Sequence, residues 1–205
     1  SMFKDRVKQR DIAMLRGLYD WTIGLADHPR ALWALAVIAF IESSFFPIPP
    51  DGLLIPMILA NPRKAWLYAG VAMLASVLGG LLGYMIGAFA FEQIGQPVLA
   101  ALGKAQAVVE YSERFNSFGF WTVLTAGITP LPFKVITIMS GATAMPIELF
   151  LMTAFIARSI RFFVVAALLW FFGDRIRHFI ERYLGWVLLL FVLMLISGVI
   201  GVRYL

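Results

Sequence analysis

Five ionisable side chains stand inside long apolar stretches of this chain: Glu42, Asp51, Lys134, Arg158 and Arg161. At the centre of a membrane helix each charge costs roughly 2.5 to 3.5 kcal/mol on insertion scales, so five in one small chain predict a shared, inward-facing role. Arg158 and Arg161 are three residues apart and so lie on one helix face. Arginine offers a planar fork suited to phosphate, and lysine a point charge. Lys134, Arg158 and Arg161 are therefore the candidate binding set for an anionic headgroup, helped by unpaired amide donors at helix ends. Glu42 and Asp51 are the candidates to take up and release protons, coupling movement to a gradient. The same five residues could instead form ion pairs that lock the fold without any ligand. Buried ion pairs stabilise poorly compared with apolar packing, which favours the functional use.

Two of the five belong to a short signature that occurs twice. Pro47-Ile48-Pro49-Pro50-Asp51 and Pro130-Leu131-Pro132-Phe133-Lys134 lie 83 residues apart, each within an apolar stretch, with Asp51 and Lys134 at matching places and opposite in sign. A helix running through such a site would lose several hydrogen bonds and clash with its preceding turn. At bilayer depth, backbone freed in this way survives only where protein or water covers it, and paired broken segments mark the binding site of many secondary transporters. Pro47, Pro49, Pro50, Pro130 and Pro132 are thus read as hairpin tips, with re-entrant hairpins expected over about 31–60 and 118–145.

These tips need a scaffold. The chain has 205 residues, 61% hydrophobic and 14% charged, the composition of a polytopic membrane protein forming one compact domain. Residues 65–91 carry no charge and 147–172 only the two arginines and Glu148, and both stretches are long enough to span with tilt. In the first, Gly79, Gly83 and Gly87 recur every four residues beside Ser76 and Gly80, a strip for close helix packing. Residues 186–202 form a final, plain span. Over 2–26, Val7, Met14, Leu18, Trp21, Thr22 and Leu25 gather near one face with Lys4, Lys8, Arg10 and Asp11 largely elsewhere, which predicts an amphipathic helix lying at the membrane surface. Pro97 opens a second interfacial helix toward Phe115. The eighteen Phe and six Trp fill helix contacts and lipid interfaces.

Charge orients the arrangement. If each proline segment turns back on its own side, eleven Lys and Arg fall with the N-terminus, the loop 61–64 and the loop 173–182, against Lys104, Arg114 and Arg203 opposite. The positive-inside rule then puts the N-terminus in the cytoplasm and makes the two hairpins enter from opposite faces, as an inverted repeat.

Other chemistries find little support. There is no cysteine, which excludes disulfides, thiolate metal sites and cysteine nucleophiles. His28 and His178 are far apart without metal-ligand neighbours, and Glu110, Glu113 and Arg114 read as a solvated helix face. No phosphate-binding loop, dinucleotide fingerprint or nucleophile elbow occurs, the scattered basic residues do not suit nucleic acid, and residues 1–27 lack the pattern of a secretory signal. An enzyme is not expected.

Glu42 with Phe46 to Asp51, the run Gly79-Gly80-Leu81-Leu82-Gly83-Tyr84-Met85-Ile86-Gly87, and the segment Pro130 to Gly141 resemble the DedA family, also called SNARE-associated or VTT-domain membrane proteins. The resemblance covers roughly residues 30–175. It implies two opposed re-entrant hairpins and a role in moving lipids across the bilayer, as with bacterial members linked to polyisoprenyl phosphate or phospholipid flipping and eukaryotic scramblases. The family's acidic pair maps onto Glu42 and Asp51. Its second motif has an Arg before the proline and another after it, whereas Thr129 precedes Pro130 here and the downstream cation is Lys134, as in a divergent branch.

The expectation is an all-α polytopic protein of the bacterial cytoplasmic membrane that moves an anionic lipid as flippase or scramblase, with protons as coupling partner and no cofactor. A proton-coupled small-anion carrier and a non-transporting structural or assembly protein are the alternatives. A homodimer is compatible with the sequence.

Overall fold

The computed structural model describes Gly24 and residues 28–129 and 132–204, with side chains through Ile176 and at His178. The expected surface helix over 2–26, as well as Pro130 and Leu131, lie outside the described residues. Helices α1 (Ala31–Ser44) and α2 (Asp51–Ala60) are joined by the non-helical segment 45–50, and a 3-10 turn, Pro62–Lys64, leads into α3 (Ala65–Ala90). A π turn, Phe91–Gly95, continues α3 into α4 (Gln96–Ala101). Then follow α5 (Ala105–Ser117), α6 (Gly119–Ile128), α7 (Phe133–Ala142) and α8 (Ile147–Tyr204). No strand occurs among the described residues.

The prolines set the breaks. Phe46 precedes Pro47, where α backbone is disfavoured, and α1 ends at Ser44; Pro50 then caps α2, whose first turn holds Asp51. In the second break Thr129 is extended and α7 begins directly after Pro132. At Pro97 the proline instead enters the first turn of α4, and the π turn before it keeps the helix continuous from α3. The helix expected from Pro97 toward Phe115 therefore comes in two pieces, divided where Gly103 takes a φ of 69°, the left-handed region that stops a helix.

The long α3 organises the fold. A Cβ at Gly79 would meet the Phe40 backbone, one at Gly83 the Thr137 side chain and Ser43 carbonyl, and one at Gly87 the Ile138 backbone. The glycine strip is thus the seam against which both α1 and α7 lie, as the four-residue period predicts. The two proline-linked pairs reach this seam from different ends. Ala31 lies near Tyr68, at the start of α3, while Gly141 packs on Tyr84 and Ala88 toward its end. Their broken tips meet near Gly80 and Gly83. Helix α8 crosses the opposite flank antiparallel to α3, with Phe150 against Gly80, Arg158 against Ser76 and Phe163 stacked on Trp66.

One apolar core, with Leu35, Leu54, Ile58, Ala69 and Phe162 at its centre, holds α1, α2, α3 and α8 together. A second, around Val123, Phe133, Phe150 and Ala154, ties α6 and α7 to α8. Outside these cores the surface is strongly apolar, with Trp33, Leu78, Phe89, Trp121 and Phe171 all largely exposed. The continuous helix 62–101 and residues 147–176 are long and apolar enough to cross a membrane.

One expectation is corrected. Residues 173–182, read from their charges as a loop between two spans, are helical, and α8 runs unbroken to Tyr204. The segment GDRIRHFIER has no proline, and Arg, Ile and Glu all sustain a helix; charge marks what surrounds a backbone and not where it bends.

Candidate functional site

Where the two tips meet, the chain concentrates its buried charge. Glu42 leaves the last turn of α1 and is 6% exposed; Arg158 reaches it from α8 and is 1% exposed. Arg158 Nη2 donates to Glu42 Oε2 and, at 3.2 Å, to Ser43 Oγ, while its Nε donates to Ser76 Oγ on α3. Glu42 Oε1 accepts the Phe133 backbone N–H at 2.9 Å, and Oε2 also accepts the Ser43 hydroxyl at 3.0 Å. The Phe133 amide opens α7, so a carboxylate from one broken segment caps the helix of the other. Phe133 and Phe162 cover the guanidinium at 4.6 and 5.1 Å from their ring centres. Each charge here has an opposite charge and further hydrogen bonds, as burial demands.

One turn along α8 a second pair forms on the outer side of the first. Arg161 Nη2 donates to Asp51 Oδ2, and Nη1 donates to the Thr129 carbonyl at the end of α6. This pair is more open, with side-chain exposures of 10% for Arg161 and 24% for Asp51. It is also incomplete: among the described residues, Asp51 Oδ1 and Arg161 Nε are buried without a hydrogen-bond partner. The rim around it is formed by the exposed tip segment, with Phe45, Phe46 and Ile48 facing outward. Lys134 is half-buried beside it, its Nζ donating to the Phe45 carbonyl at 3.3 Å.

Four of the five ionisable residues singled out in the sequence are thus paired, Glu42 with Arg158 and Asp51 with Arg161. Lys134 stands at the same junction but makes no ion pair among the described residues. Pro47, Pro49 and Pro50 form the first tip, and Pro132 closes the second. Sequence reasoning did not assign roles to Ser43 or Thr137, and placed Ser76 only beside the glycine packing strip. The Thr137 hydroxyl donates to the Ser43 carbonyl at 2.9 Å, and Ser43 and Ser76 share a hydrogen bond, so these three bind the first tip to α3 and α7. The only signal for them is a small hydroxyl in an apolar run, which commonly serves its own helix backbone.

No group of His, Cys, Asp or Glu among the described residues has the arrangement to hold a metal ion. The site consists of two ion pairs at the junction of two broken helices, the inner one closed and the outer one with unpartnered atoms among the described residues.

The profile of the VTT domain matches residues 48–171. An uncharacterized protein of Haemophilus influenzae is 36% identical over 173 residues, covering 82% of this chain and 89% of its own. An uncharacterized protein of Histophilus somni is 38% identical over 173 residues, covering 82% and 90%. An uncharacterized protein of Methanocaldococcus jannaschii is 25% identical over 131 residues, covering 63% and 78%. No solved structure matches the chain.

Proposed function

The chain belongs to the VTT-domain family of DedA-type proteins, and from that premise we propose that it is a lipid transporter of the bacterial cytoplasmic membrane, moving an anionic lipid between leaflets. In this reading the two proline-linked pairs are re-entrant hairpins of an inverted repeat. Their dimensions support it: at 1.5 Å per residue α1 is about 21 Å long and α2, α6 and α7 about 15 Å, too short for a hydrocarbon core of about 30 Å, whereas α3 at about 39 Å is long enough. Their tips then lie at mid-depth, close to where α3 has its centre.

The observation that carries the proposal is the outer pair. Among the described residues Arg161 Nε and Asp51 Oδ1 lack partners, and the pair lies at a rim where Lys134 stands beside exposed Phe45, Phe46 and Ile48. An anionic headgroup supplies the acceptor that Arg161 Nε is missing. Its oxygens accept from Arg161 and Lys134, its tails remain against the apolar tip, and Asp51 takes a proton as its cation is shared with the headgroup. In the inner pair no buried side-chain atom is without a partner among the described residues. Glu42 and Arg158 then serve as the lock that holds both tips in place while the outer pair exchanges partners. This gives the structural reading of buried ion pairs a place of its own, at the inner pair alone.

The test is reconstitution into liposomes carrying a fluorescent anionic phospholipid, with an impermeant quencher added outside. Protein should raise the quenched fraction beyond the outer-leaflet share. Asp51→Asn and Arg161→Gln should slow this by about tenfold or more, the loss of a charge-assisted contact, while both remain folded. A folded wild-type protein that leaves the inner-leaflet lipid protected removes the lipid reading. A rate that follows an imposed pH gradient separates coupled transport from passive scrambling.

A further inference from the structure

The outer pair sets two requirements on a ligand, and they differ in kind. Among the described residues Arg161 Nε is a buried donor without an acceptor, and Asp51 Oδ1 is a buried acceptor without a donor. Arg161 commits Nη2 to Asp51 Oδ2 and Nη1 to the Thr129 carbonyl, so its third nitrogen is the one that remains for a ligand. Asp51 Oδ2 is the oxygen held by Arg161 and therefore the one that takes a proton when that cation is shared; Oδ1 accepts a hydrogen bond in either state. Neither side chain is sealed, with exposures of 10% for Arg161 and 24% for Asp51. The terminal torsion of a carboxylate is broad and two-fold, so a half-turn presents either oxygen to the rim.

A phosphate group meets the first requirement and not the second. An ionised phosphodiester offers acceptor oxygens only, and beside it Asp51 Oδ1 stays buried and unpaired. The missing hydrogen must come from the headgroup beyond the phosphate, and local charge decides what carries it. The Asp51–Arg161 pair is neutral as a unit, and Lys134, which makes no ion pair among the described residues, adds a positive charge beside it. An ammonium brought to Asp51 would stand against the guanidinium that shares the same carboxylate, with Lys134 adding to the repulsion. A hydroxyl supplies the hydrogen without the charge.

Resting on the transport reading above, we infer that the outer pair selects a phosphodiester lipid whose headgroup carries a hydroxyl, as phosphoglycerol does, the phosphate accepting from Arg161 Nε and Lys134 Nζ and the hydroxyl donating to Asp51 Oδ1. Lys134 and Arg161 then read the phosphate that all such lipids share, and Asp51 reads the group that distinguishes them.

The test measures equilibrium binding of short-chain lipids to the purified full chain in a neutral detergent at constant ionic strength. Three headgroups on the same acyl chains are compared: phosphatidylglycerol; phosphatidylmethanol, a diester of the same charge without the hydroxyl; and phosphatidylethanolamine, with an ammonium in its place. Phosphatidylglycerol should bind about tenfold more tightly than phosphatidylmethanol, the effect of one hydrogen bond to a charged acceptor, and more tightly than phosphatidylethanolamine. In Asp51→Ala the ratio between the two anionic diesters should fall to within about twofold of unity, whereas Lys134→Ala should weaken both and leave their ratio as in the wild type. A wild-type ratio below about threefold overturns the inference and leaves the lipid reading in place. So does phosphatidylethanolamine as the tightest ligand, or an Asp51→Ala ratio that stays at the wild-type value. Absence of saturable binding by any of the three lipids, in a preparation that elutes as one species and unfolds cooperatively, removes the lipid reading itself. The wild-type comparison needs no variant, so it decides the inference even where Asp51→Ala fails to fold.

Discussion

Replacing Glu42 by Leu should be far more damaging alone than together with Arg158→Met. Arg158 and Glu42 have side-chain exposures of 1% and 7%, so removing one partner strands a charge in an apolar interior. Stranding it costs about 3–5 kcal/mol. Glu42→Leu also removes the acceptor of the Phe133 amide, which adds roughly 1–3 kcal/mol where the amide stays dry. The single variant should therefore lose about 5 kcal/mol, which for a chain of this size lowers the unfolding temperature by on the order of 10 °C. In the double variant no charge remains to be stranded, and Ser43 and Ser76 keep their mutual hydrogen bond. Its loss should be about 2 kcal/mol, giving a coupling between the two sites of roughly 3 kcal/mol or more. Tryptophan fluorescence during thermal unfolding in micelles measures all three variants and the wild type. Additive losses, with the double variant the least stable, would refute the reasoning that Glu42 and Arg158 act as one buried unit. A second readout addresses function: since the inner pair is assigned as a lock, the folded double variant should still move lipid.

Further outcomes follow from other contacts. Gly79→Ala and Gly87→Ala each place a methyl group on backbone of α1 or α7 and should cost roughly 1–3 kcal/mol, whereas Gly70→Ala meets nothing within 4 Å and should stabilise by up to about 1 kcal/mol. Thermal unfolding ranks the three. Asp51→Asn, at 24% side-chain exposure beside an Arg161 at 10%, should cost about 1–3 kcal/mol and abolish any dependence of lipid movement on the pH gradient. Asn116, near the end of α5, ties it to the end of α7, donating to the Thr143 carbonyl at 2.8 Å and accepting from the Thr143 hydroxyl at 3.2 Å. Asn116→Ala should cost about 1 kcal/mol and raise amide exchange at residues 140–145 before any other part of α7.

Local backbone chemistry accounts for what was legible in the sequence. Proline lacks an amide hydrogen, so the breaks near Pro47 and Pro132 follow from residue type alone. The glycine period of four places Gly79, Gly83 and Gly87 on one face, and a face without side chains is where another backbone can approach. Pairing was not legible. Glu42 and Arg158 are 116 residues apart, and a charge in an apolar run announces the need for a partner without naming it. The matched positions of Asp51 and Lys134 are a similar case: the cation that meets Asp51 is Arg161, from α8 and not from the second proline segment. The continuous helix through 173–182 was hidden because hydropathy changes there while helix propensity does not.

The central claim is that the two tips enter from opposite faces and stop at mid-depth. A chain without cysteine permits a direct measurement, in which Arg63→Cys, Ser117→Cys and Ile48→Cys are reconstituted one at a time and labelled with an impermeant maleimide from either side. Positions 63 and 117 should label from opposite sides, and position 48 at least about tenfold more slowly than either, because apolar surroundings hold the reagent away and the thiol un-ionised. Labelling of positions 63 and 117 from the same side, or of position 48 as fast as 63, would contradict the account.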